Sequence, residues 1–164
     1  MLDGIYRNPT TIIFGKESER QVGAEVSKQA DKVLLVFGSQ NIKQFGLYDL
    51  ITESLNNSKV RFIELSGVQA NPTADLVYEG INFCRRENIS FILAVGGASV
   101  IDTAKAIAIG VPFQGDFFEF FEKKKAPKKT INVGVVLTIS GAGSESSDGA
   151  VITKNGNKYS CGSP

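Results

Sequence analysis

Apolar runs alternate with helix-period segments almost from end to end of this chain. Residues 10–14 (TTIIF) read as a strand punctuated by Gly15, and 17–30 carry Val22 and Val26 at helical spacing within a polar stretch. Residues 32–37 (KVLLVF) predict a buried strand ended by Gly38 and Ser39. Residues 47–55 then set Leu47, Leu50, Ile51 and Leu55 on one helical face. The unit recurs: a strand at 59–65, a helix at 73–88 with Leu76, Val77, Gly80, Ile81 and Cys84 inward, a strand at 91–95 (FILAV), a helix at 99–109 and a strand at 133–138. Such alternation closes through right-handed crossovers into a mostly parallel sheet. The expected fold is a doubly wound α/β domain spanning residues 1–164. A short hairpin ends it, with a strand at 150–153 and Asn155-Gly156 as its turn.

Between residues 113 and 130 the pattern degrades. Residues 116–121 (DFFEFF) predict a short helix, and the lysines at 123, 124, 125, 128 and 129 crowd a Pro-containing loop. That run reads as a solvated surface, with a phosphate contact as the alternative. Composition narrows the function. The 164 residues, 42% apolar and 21% charged, suffice for one core. Eighteen Lys and Arg against 17 Asp and Glu leave +1, which is no footprint for nucleic acid or an anionic membrane. There is no histidine, so a His-based metal site, a Ser-His-Asp triad and a Cys-His pair are all excluded within this sequence. Cys84 and Cys161 form no CxxC and read as reduced thiols. With no signal-peptide pattern at the start and no apolar run of spanning length, the expectation is a soluble cytoplasmic protein.

Ligands of open parallel sheets bind outside the carboxyl ends of the strands. Three polar, glycine-containing turns fall there: 38–43, 96–102 and 138–145. In 91–102, FILAVGGASVID, a buried strand runs into Gly96, Gly97, Ala98 and Ser99 and then into a helix. Small residues let the backbone approach a ligand, and the helix N-terminus aims free N–H groups and a positive dipole end at an anion. A pyrophosphate suits that geometry. Ser99-x-x-Asp102 equally forms a capping box, with Ser99 as N-cap. The segment has no GxGxxG. P-loop, YxxxK and GxSxG signatures are also missing from the chain.

VGGASVID closely resembles the GGGSVID signature of the iron-containing (group III) alcohol dehydrogenases, especially their butanol-dehydrogenase-like branch. Further matches are collinear. Residues 8–16 resemble the family's opening strand and FGK turn, and 38–46 (GSQNIKQFG) its GGGSIKxxG turn. Asn71-Pro72 resembles its NP, and 138–145 followed by 149–153 resembles T-x-P-A-T-G-S-E and GAVIT. The resemblance covers essentially the whole chain. It implies a Rossmann-like dinucleotide domain binding NADP or NAD. A separate helical domain of the family, absent here, would hold iron or zinc through an aspartate and three histidines. The full enzyme would move hydride between NAD(P) and a primary alcohol or aldehyde, and this chain alone would be inactive. The alternatives are a non-catalytic nucleotide-binding module and, less supported by the residues, a flavodoxin-like interaction domain.

Carried over, the resemblance puts the pyrophosphate on Gly96, Gly97, Ala98 and Ser99, with Asp102 towards the nicotinamide. Thr138 and Ser144 fall where the diphosphate or nicotinamide ribose is held, and Asn71 and Lys158 match further cofactor contacts. Each of these has a plain alternative: Asn71 as a helix cap with Pro72 at N1, Lys158 as a solvated hairpin lysine, Thr138 as a strand end. Ala98 departs from the family's third glycine, and Ser140-Gly141-Ala142 from its P-A-T. Ser39, Gln40 and Asn41 replace glycines and serine in the adenosine turn after Gly38. That turn contains no acid for the ribose, and Lys43 follows it, which favours NADP over NAD. A homo-oligomer is expected, through an uncovered apolar face near Val151, Ile152 and Tyr159 or the edge of the first strand.

Overall fold

The computed structural model describes residues 10–38 and 41–162. Four parallel strands form the sheet in the order β2-β1-β3-β4: β1 (Lys32–Phe37), β2 (Arg61–Leu65), β3 (Phe91–Gly96) and β4 (Asn132–Leu137). β1 and β3 lie at the centre, where Leu34 pairs with Ile92 and Phe37 with Val95. Being covered on both faces, they are apolar at nearly every position. The side chains divide by alternation. Val33, Leu35 and Phe37 join Val26, Ile51 and Leu55 from α1 (Val22–Ser27) and α3 (Leu47–Asn57). Leu34, Val36, Ile92 and Ala94 join the opposite cluster, under α4 (Ala74–Glu87) and α5 (Ala98–Gly110). The sheet is thus doubly wound, as its sequence pattern predicts.

α5 is apolar nearly all round because it is buried between sheet, α4 and hairpin. Val100, Ile101, Ala104, Ala106, Ile107 and Ala108 are all in the core. Its close approach to α4 depends on Gly80, where a Cβ would lie 2.4 Å from Ile107 Cδ1. α4 ends at Asn88, left-handed at φ 52°, whose N–H reaches back to the carbonyls of Arg85 and Cys84. The hairpin of β5 (Ala150–Lys154) and β6 (Asn157–Cys161) turns at Asn155 and Gly156, both with positive φ as a type I′ turn requires. Short helices α2 (Asn41–Gln44) and α6 (Phe118–Phe121) fill the connections.

Several sequence expectations need correction. Residues 10–14 pair with no strand among the described residues, and Ile12 (66%) and Phe14 (89%) are exposed. The helix expected at 17–30 is a 3-10 turn (Ser18–Gln21) followed by the six-residue α1, and Glu17, left-handed at φ 59°, stands before the first turn rather than within it. Nor is the hairpin's apolar face open. Ile152 is wholly buried and Tyr159 packs edge-on against Phe118 at 4.9 Å, so of the three residues only Val151 is exposed.

Candidate functional site

The strand order reverses direction between β1 and β3, whose carboxyl ends therefore flank the crevice typical of ligand sites in open α/β sheets. The turns after β1, β3 and β4 meet along this edge. Gly38 follows β1, and its carbonyl accepts the Gly67 N–H at 3.0 Å. Gly96 ends β3, and its carbonyl accepts the Thr138 N–H at 3.1 Å, which fixes the third turn beside the second. Two of the candidate residues, Ser39 and Gln40, lie outside the described residues; Asn41 opens α2.

Gly97 is the N-cap of the 13-residue α5, so the N–H groups of Ala98 and Ser99 have no intrahelical acceptor. The Ser99–Asp102 capping box is not formed, because the helix begins two residues too early for it. Ser99 lies inside the first turn and donates its hydroxyl to the Ala70 carbonyl at 2.9 Å, binding the Asn71 segment to the glycine turn. Asn71 caps nothing either: Thr73 is the N-cap of α4, and Pro72 stands before the helix with its carbonyl accepting the Thr153 N–H at 2.7 Å. Asn71 is exposed. At Gly97 a Cβ would meet only Ile139, at 3.8 Å, so the turn opens outward and leaves room for a ligand's phosphates.

Asp102 has both carboxylate oxygens engaged. Oδ1 accepts the buried Ser144 hydroxyl at 2.6 Å and Oδ2 the Val151 N–H at 3.0 Å. Lys105, one turn further along α5, donates to the carbonyls of Ser144 and Gly149, the latter at 2.9 Å. Burial lowers its pKa, opposed by the charges of Asp102, Asp148 and Glu145. Sequence reasoning missed Lys105, although its i, i+3 spacing from Asp102 places both on one helix face. Thr138 is exposed beside the turn, whereas Lys158 lies exposed on β6 opposite Thr153, with no hydrogen bond to the turn among those described.

Lys43 lies 4.4 Å above the Tyr48 ring and 3.4 Å from Glu64 of β2. Glu64 also accepts the Tyr48 hydroxyl. That hydrogen bond, with burial and the charges of Glu64 and Asp49, pushes the Tyr48 pKa up to about 12. An acid thus does stand beside the β1 turn, supplied by the neighbouring strand rather than by the turn itself. Far from these turns, a cavity of about 640 Å³ opens at the amino edge of the sheet, with Phe113 and Phe120 inside and Lys125, Lys128 and Lys129 around it. It shares no residue with the site.

The family model for iron-containing alcohol dehydrogenases matches residues 9–164, and the chain belongs to that family. It is 44% identical over 161 residues, 97% of its length, to a probable NADH-dependent butanol dehydrogenase 1 of Bacillus subtilis, covering 42% of that protein. With NADH-dependent butanol dehydrogenase A of Clostridium acetobutylicum it shares 39% identity over 153 residues, 93% of this chain and 39% of the relative. The crystal structure of NADH-dependent butanol dehydrogenase A from Thermotoga maritima superimposes with a TM-score of 0.94 at 36% identity, over 98% of this chain and 41% of the other. The chain therefore spans less than half the length of the relatives it matches.

Proposed function

We propose that this chain is the dinucleotide-binding part of an NAD(H)-dependent alcohol dehydrogenase acting on primary alcohols or aldehydes. The observation that carries this reading is the open Gly97 turn at the N-terminus of α5, set at the strand-order reversal. The backbone N–H groups of Ala98 and Ser99 hold the pyrophosphate, and Thr138 sits beside them to contact the diphosphate or ribose. Asp102 and Ser144 keep the third turn against α5. Asn71 and Lys158 remain candidates for the outer parts of the cofactor. Bound there, the nicotinamide supplies the hydride acceptor or donor.

The full-length relatives' names specify NADH, and the pairing of Lys43 with Glu64 supports the same choice here. Lys43 alone would favour a 2′-phosphate; with a carboxylate beside it, much of that attraction is offset. The described residues contain no group of three or more His, Cys, Asp or Glu that could hold a metal, so no step through a metal is assigned to them. No helix among the described residues is long and apolar enough to cross a membrane. Free thiols at Cys84 and Cys161 support a reducing, cytoplasmic setting. Self-association is expected through the exposed Ile12 and Phe14.

Titration of the purified chain with NADH, followed by nicotinamide fluorescence, tests the reading. Saturable binding is expected, with no alcohol oxidation by the chain alone on adding iron or zinc. Absence of saturable NADH binding overturns it.

A further inference from the structure

Lys105 is a half-buried cation with a shell of oxygens around it that the cofactor contacts do not explain. Its Nζ donates to the carbonyls of Ser144 and Gly149 (2.9 Å for the latter) and to the Ser147 hydroxyl at 3.2 Å, with the Ser144 hydroxyl oxygen at 3.4 Å. The Ser144 hydroxyl proton is already given to Asp102, so its remaining lone pairs face the ammonium. Three successive parts of one loop, residues 144, 147 and 149, therefore converge on a single positive charge carried by a different element. The backbone of that loop is poor in repeating bonds: Gly143 is left-handed at φ 67°, and only the three-residue turn Ser144–Ser146 is regular. Without a cation, the two carbonyls would face each other and a carboxylate in a partly dehydrated pocket.

We propose that Lys105 is a positioning residue: its ammonium serves as a built-in cation that folds the loop at 144–149 onto α5 and so holds the third cofactor-facing turn in place. Burial lowers the Lys105 pKa, so the ammonium has lost water there and these oxygens take the place of its hydration. Its role is charge-specific. A side chain needed only for bulk would not have to meet oxygens on every side. The cofactor consequence rests on the dinucleotide reading above, whereas the ordering of the loop does not.

The test uses K105A, which removes the ammonium and leaves room for a free one, and K105M, which keeps the bulk without donors. NADH affinity of K105A should fall roughly 10- to 100-fold, the loss expected for charged hydrogen bonds. Ammonium or methylammonium chloride should restore several-fold of that, and tetramethylammonium, which cannot donate, should not. In K105M, amide exchange at 144–149 should accelerate while α4 and the sheet keep their protection. NADH binding by K105A equal to wild type, or a folded K105A that ammonium fails to rescue, overturns the proposal. Should K105A not fold, or the wild-type chain not bind NADH, K105M decides: unchanged exchange at 144–149 overturns the ammonium's role. Failure of the wild-type chain to bind NADH overturns the dinucleotide reading separately.

Discussion

Gly96 packs its α-carbon directly against the Val100 side chain: a Cβ there would lie 2.5 Å from Val100 Cγ2, closer than any real packing contact. One residue on, Gly97 is unconstrained, since its Cβ would meet only Ile139 at 3.8 Å. The two glycines of the turn thus serve different ends. Gly96 is required by the packing of β3 on α5, whereas the space at Gly97 is what a ligand would occupy.

Substitution separates them. Gly97→Val should leave the melting temperature nearly unchanged, losing about 1 kcal/mol at most as an N-cap, while NADH binding falls below detection. Gly96→Ala should instead destabilise the fold by about 1–3 kcal/mol, the usual cost of overpacking. Chemical denaturation together with NADH titration checks both. Unchanged NADH affinity in Gly97→Val would reduce the turn to a helix start.

A second close approach lies across the other face of the sheet. The Gly23 N–H donates to the Ser54 hydroxyl at 2.9 Å, which in turn donates to the Arg20 carbonyl at 2.7 Å. A Cβ on Gly23 would fall 1.9 Å from the Ser54 carbonyl oxygen, a backbone atom that cannot rotate away. Gly23→Ala should therefore force α1 off α3 and cost about 3 kcal/mol or more, despite the better helix propensity of alanine. Urea unfolding is the measurement; a neutral or stabilising effect would mean that α1 is not seated as described.

Much of this was legible beforehand, for identifiable reasons. β1 and β3 are buried on both faces, so their sequences are apolar at nearly every position and admit few other readings. The hairpin turn followed from Asn155-Gly156 alone. The failures lay where local chemistry offered equivalent choices. Ser99 and Gly97 both make acceptable N-caps, as do Asn71 and Thr73, and only the tertiary path of the chain decides. Strand propensity at 10–14 could not reveal that no described strand receives it. The pairs Lys43–Glu64 and Lys105–Gly149 join residues 21 and 44 positions apart, so spacing within one element carried no sign of the contacts.

Burial pushes the Cys84 thiol from 9.0 up to about 12, because a thiolate in the core under α4 has no water and no cation. The unfolded chain would ionise near the ordinary value, so from about pH 9 upward it binds fewer protons than the folded one. Stability from this group is thus complete below pH 9 and lost as pH rises towards 12, by about 2 kcal/mol midway. Urea unfolding at pH 8 and at about pH 10.5 should show the loss, and Cys84→Ala should reduce the difference. A chromogenic disulfide should label Cys161 in the native protein and reach Cys84 only in denaturant. Rapid native labelling of both thiols would contradict the burial.

The cofactor's ribose should be selected by a charge balance rather than by one residue. Lys43 is the cation nearest in sequence to the β1 turn, yet Glu64 lies 3.4 Å from it and also accepts the Tyr48 hydroxyl. Wild-type chain should therefore bind NADH more tightly than NADPH. Glu64→Gln preserves the side chain's shape and an oxygen to accept from Tyr48, but removes the negative charge. Lys43 is then free to attract a 2′-phosphate, and NADPH affinity should rise about fivefold, the scale of one partly exposed ion pair. NADH, which lacks that phosphate, should change by less than about twofold. The gain should shrink as salt is added, since the pair is open to solvent. A wild-type preference for NADPH, or an unchanged NADH-to-NADPH ratio in Glu64→Gln, would place the discrimination elsewhere in the turn after Gly38.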